Sequence, residues 1–175
     1  GLQWQELVLF MDDTIVPSST FEEGLNRLEH VWKRFEDANL KLKPSKCLLF
    51  QEKIKFLGHV VSKEGVQTDP EKNKVISEWP TPKNVKQLRS FLGLCSYYRK
   101  FVMGFAEIAR PMNKLCEKGV NFDWSEECRN AFETLKEKLC SAPILGYPQL
   151  GLSYILDTDA SDEAVGAVLS QIQEG

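Results

Sequence analysis

The stretch Leu7 to Val16, which reads LVLFMDDTIV, organises the rest of the chain. Two adjacent carboxylates, Asp12 and Asp13, separate two short apolar runs. A polar pair between apolar runs is typical of a β-hairpin, so we expect strands over Glu6–Met11 and Thr14–Val16, with both carboxylates at the turn. Crowded like charges need a compensating cation, which indicates a divalent-metal site. A solvated turn is the alternative, because aspartate is a favoured turn residue.

A phosphohydrolase of the haloacid dehalogenase type is a second interpretation of the same residues. Such enzymes also end a buried strand in Asp-Asp-Thr and an apolar residue, as Asp12 to Ile15 do here. Their nucleophilic aspartate lies two residues before that pair, where this chain has Phe10. Because a phenyl ring cannot attack phosphorus, covalent catalysis of that type is not available, and the interpretation is a remote alternative.

The composition is that of a globular chain without an overall attraction to polyanions. The 175 residues carry a net charge of -3, and 42% of them are hydrophobic. No apolar run approaches the roughly 20 residues of a membrane span, so we expect no membrane partner. The five cysteines are odd in number and form no CxxC pair. We therefore expect reduced thiols in an intracellular protein, with neither a disulfide framework nor a zinc site.

Periodicity in the first third predicts one helix and two strands. Thr20 and Glu23 form a capping box for a helix that should end near Asn39. Its apolar stripe should pack as core beneath a sheet; the stripe comprises Phe21, Leu25, Leu28, Trp32 and Phe35. Two strand-like runs follow, LKLKPSKCLLF (40–50) and IKFLGHVVS (54–62), joined by a polar turn. His59 lies among apolar residues, and we expect it to be a half-buried structural side chain.

The remaining residues predict helices and then a strand pair. Asp69 and Ser125 are N-caps, the first helix ending before Pro80 and the second near Cys140. The last 25 residues predict strands over Tyr154–Leu156 and Val165–Gln171. An acidic turn should lie between them, with Asp157, Asp159 and Asp162.

A basic segment lies between these helices, from Lys83 to Lys118. Its eight basic and two acidic residues leave a local charge of +6, interleaved with five aromatic residues. Cations beside aromatic side chains are typical of a nucleic-acid surface. Part of the segment must nevertheless be core, since Leu88, Phe91, Leu92 and Cys95 follow helical spacing.

Six ordered blocks resemble the reverse transcriptase and ribonuclease H region of gypsy-type LTR retroelement polyproteins. They cover essentially the whole chain: LVLFMDDTIV, LKLKPSKC, KFLGHVVS with a downstream DPEK, EWPTPKNVKQLRSFLGLCSYYRKF, FDWSEECRNAFETLKEKL and LDTDASDEAVGAVLSQ. The resemblance implies an α+β chain with part of a polymerase palm (an antiparallel sheet with a helix), a helical thumb and the first hairpin of an RNase H-like α/β module. The implied boundaries are 1–66 for the palm with its primer grip, 67–118 for the thumb, 119–150 for a connection and 151–175 for the RNase H-like start.

The resemblance also implies roles for individual residues. Asp12 and Asp13 match the paired catalytic, metal-binding aspartates of polymerisation, with Phe10 where the family usually has tyrosine. Asp159 matches the first metal-binding aspartate of the ribonuclease H site. Lys46 matches a lysine that contacts the triphosphate or its leaving group. The primer grip is matched by Phe56, Leu57, Gly58 and His59. Arg89, Arg99 and Lys100 lie nearest the aromatic cluster and are the candidates for nucleic-acid binding.

The implied activity is RNA-directed DNA polymerisation with an attached ribonuclease H, by two-metal phosphoryl transfer with Mg²⁺ or Mn²⁺. Implied partners are an RNA or DNA template with its primer, deoxynucleoside triphosphates and the remaining polyprotein domains. The implied setting is a cytoplasmic particle or the nucleus. A domesticated or decayed remnant that binds nucleic acid without catalysis is the alternative. We expect the chain to contain only part of each active site, and to be inactive alone.

Overall fold

The computed structural model describes residues 1–160, 162 and 165–173. The chain divides into two compact units, Gly1–Lys63 and Glu64–Gly175. Each unit has its own helices and strands. The finer division into four modules stays a prediction.

The first unit contains two antiparallel hairpins and one long helix. The first hairpin pairs β1 (Val8–Phe10) with β2 (Asp13–Ile15), and α1 covers Phe21–Asp37. A short 3-10 helix follows, and then β3 (Lys53–Phe56) pairs with β4 (His59–Ser62). The predicted hairpin is confirmed, but its strands are shorter and Asp13 lies in β2. The turn therefore holds Asp12 alone of the two carboxylates.

The two strand-like runs after α1 fold differently from the prediction. The run LKLKPSKCLLF forms no strand; its centre is the 3-10 helix Pro44–Lys46. Pro44 cannot donate a ladder hydrogen bond, and its fixed φ suits the first position of such a helix. The run IKFLGHVVS is not one strand, because it turns at Leu57 and Gly58 to form the β3–β4 hairpin.

The prediction that the stripe of α1 is core was wrong for much of its length. Val31 is buried, whereas Phe21 is 57% and Trp32 is 45% exposed. The buried Gly24 and Val31 are seven residues apart, so the inward face lies beside the predicted stripe. Strands of three or four residues are too short to cover a stripe along a 17-residue helix.

The second unit is a helical bundle followed by a hairpin. Its strands are β5 (Gly65–Thr68), β6 (Ile155–Ala160) and β7 (Val165–Ser170), with β6 antiparallel to β7. Its helices are α2 (Pro70–Ser77), α3 (Val85–Tyr97), α4 (Phe105–Leu115) and α5 (Glu126–Cys140). Asp69 and Ser125 accept hydrogen bonds from the first turns of α2 and α5, which confirms both predicted caps.

One hydrophobic core joins α2, α3, α4 and α5. Leu88, Phe91, Leu92 and Cys95 of α3 are buried as predicted, and Phe91 packs on Phe132 of α5 with 4.5 Å between ring centroids. The core extends over both the predicted thumb and the predicted connection. Most of the aromatic residues of the basic segment therefore stabilise the bundle.

The C-terminal hairpin differs from the prediction in the position of its acidic residues. β6 continues through Ala160, so Asp157 and Asp159 lie within the strand and not in a turn. They are two residues apart and therefore lie on the same face of β6. Residues 161, 163 and 164 of the predicted acidic turn lie outside the described residues. All five cysteines carry free thiols, and no described helix is long and apolar enough to cross a membrane.

Candidate active site and nucleic-acid interface

The Asp12–Asp13 pair lies at the tip of the β1–β2 hairpin. Phe10 pairs with Asp13, which leaves Met11 and Asp12 as a two-residue turn. Met11 has φ of 52°, a conformation that costs a non-glycine residue of the order of 1 kcal/mol or more. Both carboxylates are exposed, and neither has an ion-pair partner among the residues that the structure describes. They are therefore accessible to a ligand from solvent.

The donor chemistry of this tip fits a small divalent cation. Mg²⁺ prefers oxygen ligands and is commonly held by one or two carboxylates, with waters and substrate phosphates as its other ligands. Asp12 and Asp13 supply two such carboxylates. Over the described part of the chain no group of three or more acidic, histidine or cysteine side chains could hold a metal. Waters and substrate oxygens would be among the remaining ligands.

Gln3 and Glu6, which precede the hairpin, make polar contacts with the hairpin and with α1 respectively. The side-chain amide of Gln3 accepts from the Leu9 N–H at 3.0 Å and donates to the Leu9 carbonyl at 3.3 Å. Glu6 and His30 of α1 approach to 3.0 Å between Oε2 and Nδ1. Neither contact was predicted from the sequence, because each joins residues that no short motif relates.

The predicted primer-grip residues lie together at the tip of the β3–β4 hairpin. Phe56 pairs with His59, and Leu57 and Gly58 form the turn with φ of 46° and 68°. Two positive φ values are the signature of a type I′ turn, and glycine adopts the second at no steric cost. His59 Nδ1 lies 2.8 Å from the Leu57 carbonyl and must donate, since a carbonyl only accepts. His59 is half-buried, as expected.

Lys46 is the last residue of the 3-10 helix and is exposed. Its backbone N–H donates to the Lys43 carbonyl at 2.9 Å, which fixes the turn. Pro44 at the start of this helix and that hydrogen bond together fix the backbone conformation at Lys46.

Arg89, Arg99 and Lys100 are all exposed on the second unit, but they have different surroundings. Arg89 donates from Nη2 to the Cys116 carbonyl at 2.8 Å, beyond the C-terminus of α4. Lys100 lies with Nζ 5.2 Å from the centroid of the Phe101 ring. Arg89 therefore contributes to the fold, whereas Arg99 and Lys100 form a small exposed cationic pair.

Asp159 is exposed on β6, and one of its carboxylate oxygens accepts from the Ala160 N–H at 3.0 Å. Asp157 lies on the same face of the strand. The end of β7 is held by Gln171, whose side-chain amide bonds to both the N–H and the carbonyl of Gln149, at 2.8 and 2.9 Å.

Two families match different parts of the chain. The family described as reverse transcriptase (RNA-dependent DNA polymerase) matches residues 3–61, and the RNase H-like domain found in reverse transcriptase matches residues 124–175. The first range contains Asp12, Asp13 and the tip of the β3–β4 hairpin; the second contains Asp159. The two matched segments, residues 3–61 and 124–175, belong to these reverse transcriptase families. The resemblance stated from the sequence is confirmed.

Retroelement polyproteins that are similar along the whole chain support this assignment. The retrovirus-related Pol polyprotein from transposon 412 of Drosophila melanogaster is 38% identical over all of this chain, and that from the transposon gypsy of the same organism is 40% identical over 93% of it. The Tf2-3 polyprotein of Schizosaccharomyces pombe is 36% identical over 94%. This reverse transcriptase segment spans 14%, 17% and 12% of those relatives' lengths.

Solved structures of similar fold include those of the foamy viral protease-reverse transcriptase. Its complex with double-stranded DNA, in a form designated dRH, has a TM-score of 0.81 and 26% identity over 94% of this chain and 30% of that one. Its complex with an RNA/DNA hybrid has a TM-score of 0.79 and the same identity, over 94% and 23%. The mixed helix and sheet fold is confirmed. These matches give no support to a dehalogenase-like phosphohydrolase.

Proposed function

We propose that this reverse transcriptase segment contributes to RNA-directed DNA synthesis and to RNA cleavage by an LTR retroelement polyprotein. The observation that carries the proposal is the exposed Asp12–Asp13 pair at a hairpin tip, inside the range matched by the reverse transcriptase family. In the reaction the primer 3′ oxygen attacks the α-phosphorus of a deoxynucleoside triphosphate. Pyrophosphate leaves, and the hydroxyl proton passes to solvent.

Asp12 and Asp13 would hold the divalent cation of the polymerase site, Mg²⁺ or Mn²⁺, whose chemistry is to neutralise phosphate charge and lower the pKa of the primer hydroxyl. The two carboxylates would place this cation at the hairpin tip. The hairpin turn at Leu57 and Gly58 is our proposed support for the primer end. Lys46 would place its cation near the triphosphate or the departing pyrophosphate, where a cation stabilises developing negative charge.

Nucleic acid is the proposed partner of the second unit as well. The local charge of +6 between Lys83 and Lys118 favours a phosphate backbone in a chain whose net charge is -3. Arg99 and Lys100 are the members of this segment that we assign to phosphate contacts. The foamy viral protein of similar fold was solved with double-stranded DNA and with an RNA/DNA hybrid, which supports a primer–template duplex as the ligand. Triphosphates, the other polyprotein domains and a cytoplasmic particle or nuclear setting complete the proposal.

Asp159 is the proposed metal-binding carboxylate of the ribonuclease H site. It lies in the range that the RNase H-like family matches, and its neighbour Asp157 adds negative charge on the same face of β6. The two activities should therefore depend on different aspartates, Asp13 in the first unit and Asp159 in the second.

The test is a double dissociation in protein expressed from the reading frame that encodes this chain and its flanking sequence. Asp13→Asn should abolish primer extension on RNA while leaving RNA cleavage in a hybrid. Asp159→Asn should do the reverse. Asp37→Asn, at an exposed position of α1, is the matched control and should retain both activities. Folded wild-type protein that binds a hybrid but performs neither reaction would favour a non-catalytic remnant.

A further inference from the structure

The β1–β2 hairpin that carries the two aspartates is too small to hold its own orientation. Each strand has three residues, and an isolated two-stranded hairpin is marginally stable in water. Leu9, Phe10 and Met11 of the hairpin are 48%, 50% and 83% exposed, so side-chain packing fixes them little. Val8 and Ile15 are half-buried, and the orientation of the aspartates therefore depends in part on polar contacts from outside the hairpin.

Gln3 supplies such a contact in the manner of a neighbouring strand. A strand neighbour offers one acceptor and one donor to the same residue, and a glutamine amide carries both. Gln3 Oε1 accepts from the Leu9 N–H at 3.0 Å, and Nε2 donates to the Leu9 carbonyl at 3.3 Å. Leu9 thus has both backbone groups bound by one side chain, at the residue paired with Thr14 of β2.

Gln3 is itself held by a hydrogen-bonded turn. The N–H groups of Gln5, Glu6 and Leu7 all donate to the Leu2 carbonyl, at 3.1, 3.0 and 3.3 Å, and Trp4 N–H donates to the Leu7 carbonyl at 2.8 Å. Gln3 and Leu7 also form an isolated bridge. The backbone that carries the Gln3 side chain is therefore held in place.

We propose that Gln3 is a positioning residue for the Asp12–Asp13 metal site, acting through the backbone of Leu9. The proposal rests on the proposed function, because it concerns the same two carboxylates. Leu9 is three residues before Asp12 and lies in the strand that leads directly into the turn. Holding Leu9 at two points limits the tilt of β1 and so keeps the carboxylates where a cation and a substrate phosphate can share them. A side chain that supplies the same bulk without the amide should lose this effect.

The test compares Gln3→Met with Gln5→Met in the 175-residue chain. Methionine has the length of glutamine but neither its donor nor its acceptor, and Gln5 is an exposed neighbour in the same turn. Two NMR readouts apply: the exchange rate of the Leu9 amide, and the Mn²⁺ concentration that half-broadens the Asp12 and Asp13 amides. In Gln3→Met both should rise about three- to tenfold, the effect of losing one or two modest hydrogen bonds. In Gln5→Met both should stay within about twofold of wild type.

Each outcome decides the proposal. An unchanged Leu9 exchange rate overturns it, and so does faster exchange with an unchanged Mn²⁺ concentration, which would give Gln3 a purely structural role. The exchange rate of the buried Val31 amide in α1 serves as the folding control and should be the same in all three proteins. Absence of primer extension by the wild-type polyprotein would count against the proposed function alone, since the NMR readouts do not depend on catalysis.

Discussion

The guanidinium of Arg89 on α3 donates to the carbonyl of Cys116, the residue that caps α4, at 2.8 Å. A cation at a helix C-terminus binds the last carbonyls and interacts favourably with the helix dipole. Arg89→Ala should therefore lower the free energy of unfolding by about 1 kcal/mol, a value reduced for its exposure. Arg99→Ala should change it by less than about 0.5 kcal/mol. Urea unfolding of the two variants checks this, and equal stabilities would contradict it.

Nucleic-acid binding should depend on Arg99 and Lys100 more than on Arg89. Each phosphate contact on a duplex contributes roughly -0.9 to the slope of log affinity against log salt. The double variant Arg99→Ala/Lys100→Ala should flatten this slope by about two, measured by fluorescence anisotropy with a primer–template duplex. The control Lys72→Ala/Lys138→Ala removes the same charge from exposed positions outside the basic segment. An equal effect of both double variants would show that only net charge matters.

Alkaline pH should destabilise the second unit through Cys95. Burial raises the pKa of the Cys95 thiol to about 12, whereas an unfolded chain releases this proton near 8.5. The folded state keeps this proton to a higher pH than the unfolded chain does. The contribution of Cys95 to the free energy of unfolding is therefore complete below the unfolded pKa, and it falls as the pH rises toward the folded pKa. The slope due to Cys95 should approach about 1.4 kcal/mol per pH unit.

Urea titrations at several pH values check this, with Cys95→Ala as the comparison. Burial also raises the pKa of Tyr98, with a smaller contribution from the Asp69 carboxylate. Tyr98 is present in both proteins, so its effect cancels in the difference. Parallel stability curves for wild type and Cys95→Ala between pH 9 and 11 would contradict the assignment.

Gly65 at the start of β5 should be intolerant of any side chain. A Cβ at this position would lie 2.2 Å from the Leu145 carbonyl oxygen, and φ is 135°. Val66 and Leu145 exchange two backbone hydrogen bonds of 2.9 Å, so the two segments cannot separate freely. Gly65→Ala should cost about 2 kcal/mol or more in thermal unfolding. Gly93→Ala, in the middle of α3 with open space around it, should instead stabilise by about 0.5–1 kcal/mol.

The features that were predicted correctly depend on neighbouring residues. Thr20, Asp69 and Ser125 were identified as N-caps because the hydrogen bond of a cap reaches only two or three residues along the chain. The β1–β2 hairpin was identified because its apolar runs and polar turn are contiguous. The family was identified because six blocks occur in a fixed order.

The features that were missed depend on how distant segments pack. The exposed face of α1 could not be foreseen, because periodicity reveals an apolar stripe but not how much surface covers it. The bonds from Gln3 to Leu9 and from Arg89 to Cys116 depend on the path of the folded backbone. Pro44 did carry a signal against a strand in LKLKPSKCLLF, and the local apolar pattern outweighed it.

The measurement that tests the metal site most directly is Mn²⁺ titration of the 175-residue chain, followed by amide NMR. We expect broadening of residues 10–14, its loss in Asp12→Asn/Asp13→Asn, and no change in the Asp37→Asn control. Weak binding is sufficient, because two exposed carboxylates hold such an ion without substrate. An absence of broadening at residues 10–14, or broadening of residues 10–14 that survives removal of both carboxylates, would contradict the assignment of Asp12 and Asp13 as metal ligands.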